Sequence, residues 1–501
     1  MNNFAHNLLE KGANNQIALL SGGEKITYQT LRQMTAQIAV QLRADGIKPN
    51  DRVALLGVNS AFWVASYIAV FHVGAVIVPL PTTIQPDEFA EVKGFAAIKA
   101  ICLSQRSARR LADGATDGLS LIFDDQLTAM PAVSLQDVPI HPIAGERTEA
   151  ALMLTSGTTS RPKLVRVSHG NLHANTDSII EYLKLTAVDR IMVAMPLYYC
   201  FGLSLLHTHL QVGGSIVLNN MFAFPESILN DMEATECTGF AGVPYMYHTL
   251  IRKTTLAKRP FPHLKKIQQA GGHLPPVLVE ELREAVPNAD IFVMYGQTEA
   301  TARLSWLPPH RLDDKLGSIG QAIPDTEIRV VDKDGQDVAQ GEVGELMAFG
   351  GCITLGYLNN EKVTAQKYVN GGLRTGDLGF VDEDGFIFVV DRESDILKPL
   401  GMRVSSKKIE SIIMELPQLV FAAAVGVPDL AKGEVIYIYA VRAADADISE
   451  KDILNHCKKR LARGTVPTAV IFIKQMPLNA NGKVVRPILR QKAIAQHGEI
   501  R

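Results

Sequence analysis

Apolar residues along the chain follow two periods in alternation, one typical of helices and one typical of strands. Apolar positions three and four residues apart predict helices at Tyr28 to Asp45 and Pro275 to Val286. Short runs rich in Val and Ile predict buried strands at Arg52 to Leu56, Ser215 to Leu218 and Asp290 to Met294. Strands that alternate with helices build parallel sheets with helices on their faces. The pattern therefore predicts an α/β fold with stacked βαβ sheets.

The pattern changes after about Gly320, where short predicted strands are separated by turn pairs such as Asp334-Gly335 and Asp384-Gly385. From about Asp395 onward a compact α+β pattern follows, and it begins with an amphipathic helix predicted at Ser406 to Glu415. The chain is therefore expected to have more than one domain.

We predict a large N-terminal domain at residues 1–391, which includes a β-rich subdomain at about 320–391. A hinge is predicted at 392–395, and a small, mobile α+β C-terminal domain at 396–501. About 105 residues are enough for a small independent domain.

Composition narrows the classes of function. Of the 501 residues, 47% are hydrophobic and 20% are charged, as in a globular protein. Lys and Arg together number 50 against 52 Asp and Glu. This balance lacks the basic excess of a nucleic-acid-binding surface, so no nucleic-acid partner is expected. The five cysteines lie far apart, which fits buried thiols in a reducing compartment, and a cytoplasmic location is expected.

The most apolar stretch, Phe62 to Pro81, does not have the pattern of a membrane span. A span needs about 20 predominantly apolar residues, whereas Ser66, His72 and Gly74 interrupt this stretch. A buried helix at Trp63 to His72 that turns into a buried strand is the better interpretation. The first residues have no basic segment followed by an apolar one, so no secretion signal is expected.

A run rich in hydroxyl side chains, Thr155 to Lys163, follows the apolar segment Ala150 to Leu154. Hydroxyls and backbone N–H groups donate to phosphate oxygens, and Gly157 allows the backbone to approach a ligand closely. The spacing differs from that of a Walker A loop. The run predicts a phosphate-binding loop, and the alternative is a solvated Ser/Thr turn.

Two further segments present carboxylates beside predicted strands. The segment Tyr295-Gly-Gln-Thr-Glu299 follows a strand, at the position where open α/β sheets bind ligands. Thr298 is suited to contact a phosphate, and Glu299 to bind Mg²⁺ through its hard oxygens. Asp377, which ends the turn that starts at Arg374, is suited to accept hydrogen bonds from a ribose diol. Taken singly, each segment is also compatible with an ordinary solvated loop.

The fourth segment is Pro477-Leu-Asn-Ala-Asn-Gly-Lys483. A lysine at the tip of a loop is commonly a solvated turn residue. If the loop reaches a phosphate site, the ammonium of Lys483 offsets the charge that builds on an attacking carboxylate and an α-phosphate. Lys483 is therefore a candidate catalytic residue.

These four segments occur in one order, and with them the chain resembles the adenylate-forming superfamily from about Ile26 to Arg486. That superfamily includes acyl-CoA synthetases, aryl-CoA ligases, luciferases and the adenylation domains of peptide synthetases. Further matching stretches are Gly46 to Leu56, Gly74 to Pro81, Gly271-Gly272, Gly317 to Gly320, Asp391-Arg392, Ile396 to Lys398 and Gly401. The resemblance implies a two-step reaction. ATP and an acid give acyl-AMP and pyrophosphate, the small domain then rotates, and a thiol attacks the acyl-AMP.

The resemblance also implies site residues, with ATP and Mg²⁺ as cofactors. Lys483, Thr298 and Glu299 are the expected catalytic residues, and Glu299 is the expected metal ligand. The expected ATP-binding residues are Thr155, Ser156, Gly157, Thr158, Thr159, Lys163, Gly271, Gly272, Tyr295, Asp377 and Arg392. The expected acyl pocket is formed by Tyr199, Phe201, Gly202, Val243, Gly296 and Thr301, and the expected thiol tunnel by Lys398 and Gly401.

Three positions depart from the family pattern. Ser160 and Leu164 replace glycines that are common in the phosphate loop, and Ser394 stands where the hinge residue is usually Asp or Lys. Ser160 keeps a hydrogen-bond donor, whereas Leu164 is expected to restrict the loop. Ser394 leaves the detail of the hinge open.

The class of acid is inferred first from the segment Pro196 to Gly202, which contains no acidic residue. Amino-acid-activating relatives place an Asp there to pair with the substrate ammonium, and a buried ammonium without a partner is strongly unfavourable. The stretches Leu203 to Leu206 and Val243 to Tyr247 are apolar and aromatic, which favours a fatty or aryl acid. His207 and His209 lie two apart on a predicted helix and face apart, so packing or surface roles are expected rather than a metal site.

The acceptor of the acyl group is expected to be external, either free CoA or a separate acyl carrier protein. No segment with a phosphopantetheine serine follows the small domain. The alternatives are a stand-alone amino-acid adenylating enzyme that loads a carrier, a nucleotide binder without catalysis, and a luciferase-like oxygenase.

Overall fold

The structure is a computed structural model that describes residues 2–155, 163–392, 395–430, 432–444, 446–479 and 482–499. The predictions for Ser156, Gly157, Thr158, Thr159, Ser160 and Ser394 lie outside these ranges.

The helices of the described ranges are α1 (Phe4–Glu10), α2 (Tyr28–Ala44), α3 (Ala61–His72), α4 (Pro86–Phe95), α5 (Gln105–Ala108), α6 (His169–Leu183), α7 (Cys200–Gln211), α8 (Pro225–Ala234), α9 (Pro244–Lys253), α10 (Pro276–Ala285), α11 (Glu361–Lys367), α12 (Ser406–Met414), α13 (Glu450–Arg460) and α14 (Arg486–Glu499). The strands are β1 (Ile17–Ser21), β2 (Glu24–Thr27), β3 (Arg52–Leu56), β4 (Val76–Leu80), β5 (Ile98–Leu103), β6 (Ser120–Phe123), β7 (Glu149–Thr155), β8 (Lys163–Ser168), β9 (Arg190–Val193), β10 (Ser215–Leu218), β11 (Gly239–Gly242), β12 (Lys266–Gln269), β13 (Asp290–Tyr295), β14 (Ser305–Leu307), β15 (Gln321–Ala322), β16 (Thr326–Val331), β17 (Gly344–Gly350), β18 (Tyr368–Val369), β19 (Gly372–Val381), β20 (Ile387–Arg392), β21 (Ile396–Leu397), β22 (Val404–Ser405), β23 (Leu419–Asp429), β24 (Gly433–Arg442) and β25 (Ala469–Phe472).

Two largely parallel sheets form the body of the large domain. The first has the strand order β6-β5-β3-β4-β7-β8, and only β8 runs antiparallel to its neighbour. The second has the order β15-β14-β13-β12-β11-β9-β10-β1-β2, with a parallel centre from β13 to β1. The predicted α/β fold with stacked βαβ sheets is confirmed.

Two buried helices, α3 and α7, lie between these sheets. Every residue of α7 is buried, and so is every residue of α3 except Ala61. A helix without a polar face is stable in water only when it is enclosed on all sides. The α3 helix packs on β3 and β4, α7 packs on β9 and β10, and α1 contacts both helices. A 2.9 Å hydrogen bond between the Tyr67 hydroxyl and Nε2 of His207 links α3 to α7.

The most apolar stretch, Phe62 to Pro81, is this α3 helix followed by the buried strand β4, as predicted. The helix begins two residues before the predicted Trp63 and ends at the predicted His72. In the described part of the chain, no helix is both long enough and apolar enough to cross a membrane.

The β-rich part follows the second sheet. Strands β16, β17, β18, β19 and β20 pair antiparallel around β17 and β19. In this sheet Asp377 of β19 lies directly opposite Arg392 of β20. Two residues that are fifteen positions apart in the sequence are thereby brought side by side.

The remaining residues form a small α+β unit in which β23, β24 and β25 make a sheet with α12, α13 and α14 packed against it. It contacts the large domain through backbone carbonyls. The Nδ1–H of His248 donates to the Val420 carbonyl at 2.8 Å, and Arg252 donates to the carbonyls of Leu416 and Leu419 at 3.3 and 2.6 Å. These bonds dock the unit against α9.

The buried carboxylate of Asp391 joins the last strand of the β-rich sheet to α12. Its Oδ2 accepts hydrogen bonds from the Ser406 backbone N–H at 2.8 Å and from the hydroxyls of Ser405 and Ser406, each at 3.0 Å. A carboxylate at a helix N-terminus satisfies free N–H groups and interacts favourably with the helix dipole. The predicted domain boundary at residue 391 therefore lies at a side chain that contacts both sides.

Candidate active site

The phosphate-loop candidate is flanked by a strand hairpin. Strands β7 and β8 are antiparallel, and Thr155 pairs with Lys163 at the open end of the ladder. The Thr155 hydroxyl donates to the Lys163 carbonyl at 3.3 Å. Leu164, the departure from the family pattern, is fully buried beside this point. The two ends of the candidate loop therefore lie next to one another at the edge of the first sheet.

A cavity of about 200 Å³ opens beside Thr155. Its walls come from the first sheet, from the segments that follow β9 and β13, and from the small domain: Pro79, Pro81, Thr83, Glu88, Met153, Leu154, Thr155, Tyr198, Tyr199, Cys200, Thr298 and Asn479. Three of the four sequence segments with candidate chemistry thus contribute to one space.

Glu299 is oriented by a residue that the sequence analysis did not identify. The Tyr357 hydroxyl donates a 2.7 Å hydrogen bond to Oε1 of Glu299, and burial and the Glu299 charge both raise the pKa of this phenol. The backbone carbonyl of Glu299 accepts from the Thr354 hydroxyl at 2.9 Å. Among the described residues, Oε2 of Glu299 accepts no hydrogen bond, which leaves one hard oxygen of the kind that Mg²⁺ binds.

Tyr295, Asp377 and Arg392 form a second group of site residues. The Tyr295 hydroxyl donates to Oδ2 of Asp377 at 2.6 Å, and Nε of Arg392 donates to Oδ1 at 3.1 Å. Burial and the Asp377 charge raise the pKa of Tyr295 well above its ordinary value, and the same carboxylate raises the pKa of Arg392. Asp377 is 3% exposed and Arg392 is half exposed. The carboxylate of Asp377 is therefore fixed in position, and the guanidinium beside it is accessible.

Lys483 of the small domain reaches the same site. Asn479 lines the cavity, a Cβ built on Gly482 would lie 2.9 Å from Cγ2 of Val243, and the charge of Lys483 acts on Tyr199 and Cys200. Burial raises the pKa of both groups, and the Lys483 charge opposes that shift. The Cys200 thiol lies 3.5 Å from the Thr298 hydroxyl. The structure therefore brings Lys483 and Thr298 together around Tyr199 and Cys200.

Gly271 is a glycine for a steric reason. Its φ is +86°, and a Cβ at this position would lie 2.9 Å from Cγ1 of Val243 and 3.6 Å from the Tyr199 hydroxyl. A side chain here would meet both the predicted acyl-pocket valine and the tyrosine beside Lys483. Gly272 follows at the start of the next turn, where Gln269 donates to its carbonyl at 2.9 Å.

Four residues of the predicted acyl pocket remain: Phe201, Gly202, Gly296 and Thr301. Phe201 and Gly202 are buried in α7, and Thr301 donates to the Cys352 carbonyl at 2.7 Å. Gly296 allows the chain to fold back tightly, because a Cβ there would lie 1.9 Å from the Ala302 carbonyl oxygen. This turn leads directly to Arg303, a fully buried arginine that the sequence analysis did not identify.

Lys398 and Gly401, predicted for the thiol tunnel, lie elsewhere. Gly401 is exposed with φ at +77°, and nothing in the described structure lies within 4 Å of a Cβ built on it. The Lys398 backbone N–H bonds to Glu434 within the small domain. In this structure, then, Gly482 and Asn479 of the Lys483 segment face the candidate site, whereas Lys398 and Gly401 are exposed.

Three buried histidines, His207, His209 and His169, are packing residues. His207 bonds to Tyr67, and Nδ1 of His209 bonds to the Leu205 carbonyl at 2.9 Å within its own helix. His169 accepts from the Phe4 backbone N–H at 3.2 Å. The described residues contain no group of three His, Cys, Asp or Glu side chains arranged to hold a metal ion.

Comparison with protein families agrees with this geometry. The model of the family described as AMP-binding enzyme matches residues 7–358, and that of the AMP-binding enzyme C-terminal domain matches residues 408–483.

The chain belongs to the AMP-binding enzyme family.

Individual members of the family are similar to this chain over nearly its whole length. It is 30% identical to the 2-succinylbenzoate–CoA ligase of Bacillus licheniformis over 473 residues, which cover 94% of this chain and 96% of the relative. It is also 30% identical to a feruloyl-CoA synthase of an Amycolatopsis species, with 95% of each chain covered. The relatives are acid–thiol ligases, and the predicted enzyme class is confirmed.

Solved structures give the same result for the fold of this AMP-binding enzyme. The o-succinylbenzoate CoA synthetase of Bacillus subtilis, solved with its acyl-adenylate intermediate, superposes with a TM-score of 0.86 at 28% identity over 98% of both chains. The same synthetase in complex with ATP and magnesium ion gives a TM-score of 0.85 at 28% identity, covering 97% of this chain and 99% of the other. The predicted two-domain α/β fold is confirmed.

Proposed function

We propose that this protein joins a carboxylic acid to CoA in two steps, first forming acyl-AMP from ATP with release of pyrophosphate and then transferring the acyl group to the CoA thiol. The observation that carries the proposal is the cavity beside the phosphate-loop hairpin, where Asn479 of the Lys483 segment joins Tyr199, Cys200 and Thr298. That arrangement supports a role for Lys483 as the cation that meets the acid and the α-phosphate.

In the first step, the site residues have separate tasks. Asp377 and Arg392 hold the ribose of ATP, because a fixed carboxylate accepts from a diol while the guanidinium donates. Thr155, Lys163 and Thr298 bind phosphate oxygens. The ammonium of Lys483 offsets the negative charge that develops when the carboxylate attacks the α-phosphate. Gly271 and Gly272 give the adenine a flat surface beside Tyr295.

The carboxylate of Glu299 fits Mg²⁺. Tyr357 holds Oε1, and Oε2 accepts no hydrogen bond from the residues that the structure describes, so the second oxygen is free to coordinate. When bound, the ion neutralises part of the triphosphate charge. Because Tyr357 fixes the rotation of the carboxylate, the metal-facing oxygen is oriented before the ion arrives.

For the second step the small domain turns so that a different face of it lies against the site. Lys398 and Gly401 lie on its outer surface while Lys483 is in the site. A rotation about the 392–395 hinge brings the 398–401 segment in and removes the lysine, which opens a path for the pantetheine thiol. Three hydrogen bonds from α9 to backbone carbonyls help to hold the small domain in this arrangement, and bonds of this kind can be broken and remade in such a rotation.

Two observations favour an acid without an α-amino group. The predicted acyl pocket contains the aromatic side chains Tyr199 and Phe201, and the fully buried Arg303 adds a positive charge behind them. A substrate ammonium would be repelled by that charge and by Lys483. The relatives named for CoA favour CoA over a carrier protein as the thiol.

The test is ATP–pyrophosphate exchange with a panel of fatty, aryl, dicarboxylic and α-amino acids, followed by thioester formation with CoA or an acyl carrier protein. We expect exchange with acids that lack an α-amino group, and thioester formation with CoA. Exchange supported only by amino acids, or transfer only to the carrier, contradicts the proposal. Nucleotide binding without pyrophosphate release from any acid would identify a nucleotide binder instead.

A further inference from the structure

Arg303 is buried directly behind the predicted acyl pocket. The residue is 1% exposed, and its guanidinium carbon lies 4.0 Å from the centre of the Phe201 ring. Its Nε–H donates to the sulfur of Met294 at 3.4 Å, and its backbone is held by Asn175, whose Nδ2 donates to the Arg303 carbonyl at 2.8 Å. Phe201 covers one face of the guanidinium, so a partner for the group has to approach at its edge.

One donor at that edge is unused. Nη2 of Arg303 is buried and has no hydrogen-bond partner among the described residues, and no ion pair joins the guanidinium to a carboxylate in the described ranges. Burial lowers the pKa of Arg303, and its interactions with Tyr182, Cys200 and Tyr199 oppose that shift. Buried arginine donors are normally paired, because an uncompensated buried charge is strongly unfavourable.

Other arginines of this chain show the contrast. Arg252 is buried but pairs with Glu281 and two backbone carbonyls. Arg190 bonds to the Ser215 hydroxyl at 3.0 Å and to the Thr235 carbonyl. Arg303 is held by its neighbours, yet its Nη2 donor is unused among the described residues. An unused buried donor of this kind is available to bind a ligand.

The position of Arg303 indicates where that ligand would be. Its charge acts on Tyr199 and Cys200, and both line the cavity beside Thr298. The chain reaches Arg303 through Thr301 and Ala302, whose φ angles are +61° and +133°. Non-glycine residues adopt such angles at a cost in free energy, and they are found where the surrounding structure requires one particular backbone course. Here that course leads from Glu299 to the rear of the pocket within four residues.

We propose that Arg303 binds the distal end of the substrate, and that the acid activated by this enzyme carries a second carboxylate that pairs with the free edge of the guanidinium. The inference rests on the proposed function, since it concerns the acid of the same reaction. One carboxylate of the substrate reacts at Lys483, while the other neutralises a charge that the empty pocket leaves unpaired. A fork of two N–H groups matches a carboxylate in a way that a single lysine ammonium does not.

The wild-type enzyme provides the first test. Pyrophosphate exchange is measured with succinic, glutaric, adipic and phthalic acids and with the monomethyl ester of each, which removes the second charge but retains the length. We expect kcat/KM for the preferred diacid to exceed that of its half-ester by about 100-fold or more. Equal activity with diacid and half-ester overturns the inference. Exchange with octanoic or benzoic acid but with no diacid also overturns it, and leaves the proposed function standing.

The second test compares Arg303→Met with Arg190→Met. Methionine keeps most of the volume and the contact with Phe201 but removes the charge. We expect Arg303→Met to reduce the diacid to half-ester ratio by about 30-fold or more, whereas Arg190→Met leaves that ratio unchanged. Arg303→Lys should fall between Arg303→Met and the wild type. If Arg303→Met lowers both activities in equal proportion, the residue has only a packing role and the inference is wrong. If that variant does not fold, the wild-type ratio decides.

Discussion

The Tyr295 phenol donates a 2.6 Å hydrogen bond to Oδ2 of Asp377, while Arg392 donates to the other oxygen of the same carboxylate at 3.1 Å. Tyr295 comes from the second sheet, and Asp377 and Arg392 come from neighbouring strands of the β-rich sheet. Three elements thus fix the plane of one buried carboxylate before a nucleotide binds, and its oxygens need no reorientation to meet a ribose.

Replacement of that carboxylate should weaken ATP binding. In Asp377→Asn the charge-assisted bonds, which contribute about 1.5–3 kcal/mol each, are lost. We expect KM for ATP to rise about 10- to 100-fold, measured by pyrophosphate exchange. Asp337→Asn is the matched control, because Asp337 also pairs with an arginine, Arg329, but is exposed. An unchanged KM in Asp377→Asn would remove Asp377 from the ATP site.

Lys483→Ala should separate the two half-reactions. Loss of the ammonium beside Tyr199 is expected to slow adenylate formation about 10²- to 10³-fold, because the charge that builds on the α-phosphate is no longer offset. Attack of CoA on preformed acyl-AMP should largely survive. Lys474→Ala, an exposed lysine of the same domain, serves as the control. Equal losses in both half-reactions would contradict the assigned role.

The docked position of the small domain depends on Arg252. Its bonds to the carbonyls of Leu416 and Leu419 span the two domains in the arrangement that has Lys483 in the site. Removing two hydrogen bonds of about 1 kcal/mol each weakens this arrangement. We expect Arg252→Ala to slow adenylate formation about 10-fold and to leave thiol transfer within about 2-fold of the wild type. Single-turnover kinetics of each half-reaction measure this, and a selective loss in thiol transfer would show that Arg252 has a different role.

Buried histidines should make the fold sensitive to acid. Burial lowers the pKa of His207 to about 3 and the pKa values of His169 and His248 to about 4. The unfolded chain takes up a proton near pH 6.5 while the folded protein stays neutral, so stability is lost as pH falls from 6.5 toward 4. Each group should cost about 2 kcal/mol at pH 5.

Unfolding by urea at pH 7 and pH 5 tests this expectation. His207→Gln retains a group that bonds to Tyr67 but does not titrate, and its loss of stability between the two pH values should be about 2 kcal/mol smaller than in the wild type. An unchanged pH dependence in His207→Gln would mean that this imidazole is not neutral in the fold.

The pattern of hydrophobic residues along the chain is sufficient to predict much of the fold. The predicted strands Arg52 to Leu56 and Ser215 to Leu218 have the observed bounds of β3 and β10, because each is a short apolar run buried on both faces. Tertiary pairing also extends strands beyond their local signal. The pairing of β23 with β24 carries the ladder through Pro428 to Asp429, two residue types that are uncommon in strands.

Candidate site residues can be predicted from the sequence only where they stand in a motif whose residue types indicate their chemical role. Lys483, Thr298 and Asp377 stand in recognisable segments, and all three belong to the proposed site. Tyr357, by contrast, meets Glu299 from 58 residues away, and nothing in its own neighbourhood indicates that contact. Arg303 follows the Glu299 motif closely, yet its significance depends on burial and on a missing partner, and both are properties of the folded molecule.

The ends of the lysine loop are tied to each other within the small domain. The Lys483 backbone N–H donates to Oδ1 of Asn479 at 3.0 Å, and the Asn479 N–H donates to the Lys483 carbonyl at 2.8 Å. Conformational entropy of these residues is therefore lost once, when the small domain folds. Under the proposed two-step reaction, Asn479 and Lys483 then enter and leave the site already bonded to each other, and no further ordering of these two residues is needed in each turnover.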